Sequence, residues 1–494
     1  MRNKAIRFAF FGSIFLGVYI FFAVAHPFYI FDADDWRVIS ERRWGIPLWG
    51  YWVPSRILPA NLMSLTGDFA TWVLRPFIKD YLLSITCAWA GLLALLIMLY
   101  IHGVSQVLTQ KIKIKGVTNY FLSFFFLLMH FLIFKKQAEN NIYAFYSKSV
   151  DLYYSYTIPA LFNEIIVLYL IRNDWKSLSN VKKGMLVLVA YLGVFSNPFH
   201  SIILVSYASF YIFEVIIRCL KREGGFIEGL WNNLFYLYII TLWIIQCVYE
   251  FFGGRADELK SSFHFIKSVE AFWGWTKKIN LFFYILLAST LIVFLVCVFR
   301  LKRKEKQEMD FEFKRLLHIC LWSGVIVAGF LIAMCSIGPV GYLQSVDVFN
   351  SFLFYLLFGF ILIIAYLIKT YEKLFIFVPL ITFVSLTVTI NGLKLFADSN
   401  IHNLRGKECL PISKDLVNQV LEKADGGYDT VTLHVPVWEG NDGNWPHDVN
   451  CLGQRMANTL YRHGMTDRLM KIDIFPDPDY KPSANTEAYD KRKK

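Results

Sequence analysis

The chain has 494 residues, of which 56% are apolar and 18% charged, and it carries 46 Phe, 27 Tyr and 14 Trp. No water-soluble core needs so large an apolar share, which excludes a soluble globular protein and leaves a polytopic membrane protein. The formal net charge of +12 gives a nucleic-acid reading no support, because the basic residues sit in alternate loops, where membrane topology puts them.

The first apolar stretch, residues 5–25, is long enough to cross a hydrocarbon layer of roughly 30 Å as one helix. Arg2, Lys4 and Arg7 hold its start in the cytoplasm. Its length and the lack of a small-residue cleavage site argue against a signal peptide. Three carboxylates follow at once in Phe-Asp-Ala-Asp-Asp-Trp, so Asp32, Asp34 and Asp35 face outward.

They open an outer loop from Pro27 to Asp80 that is far longer than a connecting turn requires. The loop is rich in Trp, Tyr and Pro, which suits helices lying in the membrane interface. Its charges nearly cancel, with Arg37, Arg42, Arg43, Arg56, Arg75 and Lys79 set against Asp32, Asp34, Asp35, Glu41, Asp68 and Asp80. Two roles are open to them. The cations can hold a lipid head group while the acids activate a hydroxyl, or the arginines merely touch anionic lipid while the aspartates cap a loop helix.

Further spans are expected near 81–102, 119–134, 153–171, 185–197, 201–217, 231–250, 280–299, 317–336, 350–368 and 374–392, giving eleven crossings, with the third and fifth short for the bilayer. An odd count from a cytoplasmic N-terminus predicts which loops are basic, and those loops carry Lys111 to Lys115, Arg172 to Lys183, Arg218 to Arg222, Arg300 to Lys306, and Lys369 with Lys373. Glu164 and His130 lie inside spans, where polar groups are costly, so both are expected to face protein or a cavity; site participation and a structural hydrogen bond are both open for Glu164. Asn197-Pro198-Phe199-His200 reads as a tight outer turn between two short spans.

Composition breaks near residue 395. The transmembrane domain is thus assigned to 1–394, with the loop 27–80 as its functional part, followed by a small α/β domain at 395–476 and a Pro/Asp/Lys-rich end, 477–494, expected to be disordered. Leu416, Val417, Val420 and Leu421 have helical spacing, Gly426-Gly427 ends that helix, and Thr430 to Val435 reads as a strand. A second helix near Gln454 to His463 and a second strand near Lys471 to Phe475 complete the domain. Cys409 and Cys451 are the two cysteines of this polar tail and are expected to pair in an oxidising compartment.

A carboxylate cluster in the first outer loop, directly after a span with an inside N-terminus, followed by an aromatic juxtamembrane stretch and many further spans, resembles the GT-C class of integral-membrane glycosyltransferases. The size, the Asp34-Asp35-Trp36 form and the small outer C-terminal domain look most like the bacterial serotype-converting O-antigen glucosyltransferases of the Gtr type. The resemblance covers the layout of the whole chain and is specific at Asp34-Asp35. It implies an all-α bundle of about eleven transmembrane helices in the bacterial inner membrane, with the C-terminal domain periplasmic. It also implies transfer of a hexose, glucose in the serotype-converting enzymes, from a polyprenyl-phosphate donor on the outer leaflet to a polysaccharide such as O-antigen. A flippase and a donor-making synthase would then act in the same pathway.

That chemistry needs a base against the acceptor hydroxyl and cations at the departing lipid phosphate. Asp34 and Asp35 are the candidates for the base, with Asp32 and Glu41 beside them. Arg56 is the favoured phosphate ligand, with Lys135, Lys136 and Arg255 as outer-face alternatives. Trp438 and Trp445, among Gly and Asn, form a loop suited to stacking on sugar rings. Two adjacent aspartates can bind a divalent ion, yet no convincing ligand set completes a metal site. The competing expectation is a transporter or flippase of lipid-linked sugars, which would show several intramembrane charges or two matching halves.

Overall fold

A computed structural model describes residues 2–51, 53–136, 142–254, 263–303, 310–371, 377–391, 396, 404–437 and 449–492. Among these, eight helices are long and apolar enough to cross a membrane: Lys4–Ala25, Tyr81–Ile112, Val150–Arg172, Pro198–Leu220, Leu234–Phe252, Leu281–Phe299, Phe311–Ile337 and Val346–Thr370. The other three expected spans fall on shorter helices, Gly116–Leu132, Asn180–Val194 and Phe377–Asn391. Uninterrupted apolar sequence becomes helix here because lipid offers the backbone no hydrogen-bond partner. Val346–Thr370 is 89% buried over its apolar window and Leu281–Phe299 only 22%, so the first is the central post of the bundle and the second sits at its rim.

Close approach between helices depends on small residues, since van der Waals contact is the main attraction in an apolar solvent. A Cβ on Gly193 would fall 2.8 Å from Asn163 Oδ1, so glycine lets the short helix Asn180–Val194 lie directly on Val150–Arg172. The latter helix is itself irregular. Pro159 has no N–H to give the Ser155 carbonyl, the turn Tyr153–Thr157 widens into π geometry, and Asn197 Nδ2 donates to the freed Ser155 oxygen at 2.7 Å.

Ion pairs close one end of the bundle: Lys111–Glu312 at 3.0 Å, Arg315–Glu214 at 3.1 Å and Lys369–Asp310 at 2.8 Å. Hydrogen bonds to loops close the other. There Phe195 O accepts from Ile57 N at 3.0 Å, His200 Nε2 meets Asp347 O at 2.8 Å, Trp275 Nε1 donates to Leu343 O at 2.6 Å, and Ser55 donates to Glu250. The loop between the first two long helices contributes a short helix Ala33–Val38 and a longer one, Ile57–Phe69, that runs on through a π turn to Ile78. Trp36 is fully buried, while Trp44, Trp49 and Trp72 are exposed.

The tail has the expected α/β order. Helix Gly406–Asp425 ends at Gly426, and Gly427 takes the left-handed φ of +79° that the chain needs to turn away. Strands Thr430–Pro436 and Lys471–Asp477 pair in parallel, with helix Val449–Arg462 between them in sequence. Val431, Leu433 and Val435 are buried while their neighbours alternate outward, the period-two pattern of a strand with one covered face.

The tail packs on the first loop. A Cβ on Gly406 would stand 1.9 Å from Pro27 O, so only glycine allows that helix to begin against the exit of the first span. Ser413 Oγ donates to Ile30 O at 2.7 Å, and Thr459 Oγ1 bonds Ser40 Oγ at 2.7 Å and the Trp36 carbonyl. The expectation of a disordered end is corrected for residues up to 492. Helix Glu487–Lys491 buries Tyr489, whose hydroxyl donates to Asp80 at 2.8 Å and accepts from Leu82 N at 3.0 Å. Burying a ring of that size stabilises by roughly 1.5–3 kcal/mol, which one aromatic in a polar stretch can supply. Cys409 is buried in helix Gly406–Asp425; the Cys451 side chain, and with it the expected pairing, lies outside the described residues.

Candidate functional site

Asp32 is the N-cap of the helix Ala33–Val38, and its Oδ1 accepts from Asp34 N at 2.8 Å, satisfying a donor that the first helical turn leaves free. Asp35, at the third helical position, returns the favour: its Oδ2 accepts from Asp32 N at 3.2 Å and Phe31 N at 3.1 Å. Its Oδ1 accepts from Asp151 N at 2.6 Å, at the start of helix Val150–Arg172. Both oxygens of Asp35 are therefore committed to backbone donors, and the residue is 1% exposed. Burial, with the Asp32 and Asp151 charges adding, pushes its carboxyl well above the usual range against the pull of those N–H groups. Of the two functions open to these aspartates, capping is what Asp32 and Asp35 do in the fold.

Asp34 differs. On the helix's open side it keeps 37% side-chain exposure, with Arg455 Nη1 at 2.9 Å and Arg37 Nη2 at 3.3 Å from its Oδ1. Glu41 stands 3.7 Å from Arg37 Nε and so belongs to the same charge chain. Asp151 is buried behind it, accepts from Ser155 Oγ at 3.3 Å, and is acted on by the charges of Arg56, Asp34 and Arg37. Arg56 ends the loop before helix Ile57–Phe69, its guanidinium 5.7 Å from the Tyr156 ring centre, and it lines a cavity of about 70 Å³ with Tyr156, Asn197, Glu250 and Tyr342. The Ser55 N–H bond to Glu250 Oε1, 3.1 Å, anchors that stretch.

The structure thus brings Asp32, Asp34, Asp35, Glu41 and Arg56 into one region, and adds Asp151, Arg37 and Arg455 to it. Asp151 lies two residues before the expected span 153–171, where an acid at a membrane exit is the same signal that marks Asp34. Arg37 reads in the sequence only as one of the loop charges. Arg455 lies on an amphipathic tail helix, and nothing local distinguishes it from a solvated cation.

Other candidates stand apart. Lys135 and Lys136 are exposed beside the Phe134–Ile279 bridge, where Lys135 N donates to Lys278 O at 2.8 Å. Glu164 is thirteen residues further along the helix from Asp151, roughly 20 Å at helical rise, and is buried in the bundle with Oε2 lacking a hydrogen-bond partner among the described residues. His130 bonds Phe126 O at 2.8 Å and Tyr100 OH at 3.3 Å, a structural role. Arg255, Trp438 and Trp445 lie outside the described residues.

Among the described residues no group of three or more His, Cys, Asp and Glu side chains is arranged to hold a metal ion. What the arrangement offers chemically is an accessible carboxylate flanked by guanidinium groups, a pattern able to take a proton from a hydroxyl and to meet an anion. No family model matches the chain, and neither a curated protein nor a solved structure matches it.

Proposed function

We propose that the chain is an integral-membrane glycosyltransferase of GT-C type that moves a hexose from a polyprenyl-phosphate donor to an envelope polysaccharide such as O-antigen, on the periplasmic side of a bacterial inner membrane. The observation that carries the reading is the half-exposed Asp34 held between Arg37 and Arg455, with Asp151 and Arg56 behind it. In this reading Asp34 takes the proton of the acceptor hydroxyl. The hydroxyl oxygen bonds to the anomeric carbon as the bond to the donor phosphate breaks, with inversion, and Arg56 meets the charge that the lipid phosphate carries away. The base thereby shifts from either aspartate to Asp34, since both oxygens of Asp35 are occupied.

The topology this function requires is eleven crossings with an inside N-terminus, and chain contacts support it. The tail touches the first loop, so an even number of crossings must separate them. Seven of the eight long helices lie in between, so at least one shorter helix also crosses. The Asp35–Asp151 bond asks Gly116–Leu132 to return the chain to the loop side, and the Phe195 bond to Ile57 asks the same of Asn180–Val194. Asn280 Nδ2, bonded to Thr387 Oγ1 at 3.2 Å, draws the end of Phe377–Asn391 to that side too. Basic loops then fall on the opposite, cytoplasmic face.

Transport of a lipid-linked sugar is the second reading, and the buried Glu164, whose Oε2 has no hydrogen-bond partner among the described residues, is the observation in its favour. Incubating the purified chain with a polyprenyl-phosphate hexose and polysaccharide acceptor distinguishes them. Covalent gain of a hexosyl residue supports transfer, and its absence in a donor-binding preparation favours transport.

A further inference from the structure

The end of the bundle away from the carboxylate loop holds a cavity of about 260 Å³, lined by four cations, Lys111, Lys176, Arg218 and Arg315, against two carboxylates, Asp174 and Glu214. Lys111 is paired with Glu312 and Arg315 with Glu214, but Arg218 and Lys176 have no ion pair among the described residues. Arg315 lies over the Tyr211 ring, 5.2 Å from its centre, and its buried Nε has no hydrogen-bond partner among the described residues. A buried donor left unmade is costly, and a ligand with several acceptor oxygens would satisfy it.

A second cavity, of about 600 Å³, shares Glu214 and Arg218 with the first and is lined by Phe213, Leu321, Trp322 and Val325 together with Lys221, Glu223 and His318. Leu321 and Val325 are 61% and 71% exposed on a face that meets lipid. Arg315, Trp322 and Val325 follow helical spacing, and the ten residues from Arg315 to Val325 cover roughly 15 Å, leading from the bundle end toward the bilayer centre. A cationic chamber that shares Glu214 and Arg218 with a largely apolar groove beside it matches a molecule with an anionic head and an apolar chain.

We propose that this is a binding site for an anionic phospholipid of the leaflet opposite the carboxylate loop, its phosphate between Arg218 and Arg315 and one acyl chain along Trp322 and Val325. Free phosphate shares the head chemistry but has nothing to place in the groove.

The test uses the full chain purified in a neutral detergent, with bound lipid measured by mass spectrometry after delipidation and re-addition of phosphatidylglycerol, phosphatidylcholine or inorganic phosphate. Wild type is expected to retain phosphatidylglycerol over phosphatidylcholine and to gain thermal stability from it, with inorganic phosphate giving no comparable gain. Arg218→Gln removes a cation with no ion pair to lose and should weaken retention roughly fivefold; Trp322→Ala should weaken it for phosphatidylglycerol with no effect on inorganic phosphate. Equal retention of the two lipids, unchanged retention in Arg218→Gln, or equal protection by inorganic phosphate overturns the proposal. If Trp322→Ala does not fold, the Arg218 variant and the lipid comparison decide alone.

Discussion

Arg455 Nη1 lies 2.9 Å from Asp34 Oδ1, although 421 residues of chain separate the two. The contact makes the tail part of the electrostatics of the first loop. Arg455 keeps 16% of its side chain exposed and Asp34 37%, so the pair is covered on the tail side and open on the other. A carboxylate so held is fixed in direction while still reachable by substrate.

Replacing Arg455 by Ala should lower hexose transfer about tenfold, through loss of positioning. Stability should change by about 1 kcal/mol or less, because Asp34 stays 37% exposed and keeps Arg37 at 3.3 Å. Arg455→Lys should restore part of the loss. Transfer rate and melting temperature in detergent check this; a large fall in melting temperature with transfer intact would make the pair a structural tie.

Asp35 should behave in the opposite way. Its oxygens take three backbone N–H groups, two from its own loop and one, Asp151 N, that joins the loop to helix Val150–Arg172, and an amide would turn one acceptor into a donor facing donors. Asp35→Asn is expected to destabilise the protein by about 1–3 kcal/mol, read as a lower melting temperature. A variant as stable as wild type would show that these bonds do not hold the loop.

Acid should loosen the tail from the loop. Burial lowers the pKa of His463 from 6.5 to about 4, with the Arg462 and Arg75 charges acting the same way against Asp68, and its Nδ1 is bonded to Tyr81 OH at 2.7 Å. The folded protein therefore binds this proton less well than the unfolded chain. The contribution, about 3 kcal/mol at most, is present above pH 6.5 and lost as pH falls toward 4. Asp35, raised on folding, has the reverse sign, its contribution fading as pH rises. Thermal unfolding from pH 7 to pH 4 should show a smaller loss in His463→Gln than in wild type, and parallel curves would rule His463 out as the cause.

Much of this could be read from the chain, and the parts that could not have a common reason. Long apolar runs made spans legible because lipid leaves them no alternative to helix. The α/β order of the tail was legible from Gly426-Gly427 and from the β-branched run before Val435. Contacts between distant segments were not. Nothing near Arg455 says that it meets Asp34, and the polar composition around Tyr489 hides the one ring that anchors the end of the chain against Asp80. Adjacent Asp34 and Asp35 looked interchangeable in sequence, whereas the helix turns one toward backbone donors and the other toward solvent.

Topology can be tested at the short helix Gly116–Leu132. Alkaline phosphatase fused after Lys115 should be inactive and fused after Ser147 active, with a fusion at the C-terminus active as well. Equal activity at the first two sites would mean that this helix does not cross, which is incompatible with the Asp35–Asp151 bond that puts the start of Val150–Arg172 on the loop side.

Whether Asp34 is the base of a hexosyl transfer is decided by the mass of the surface polysaccharide repeat in cells carrying no copy, the wild-type gene or Asp34→Asn. One added hexosyl residue is expected with wild type and none with Asp34→Asn at equal protein level in the membrane. Full modification by the Asp34→Asn protein, or no covalent change with wild type, would contradict that role.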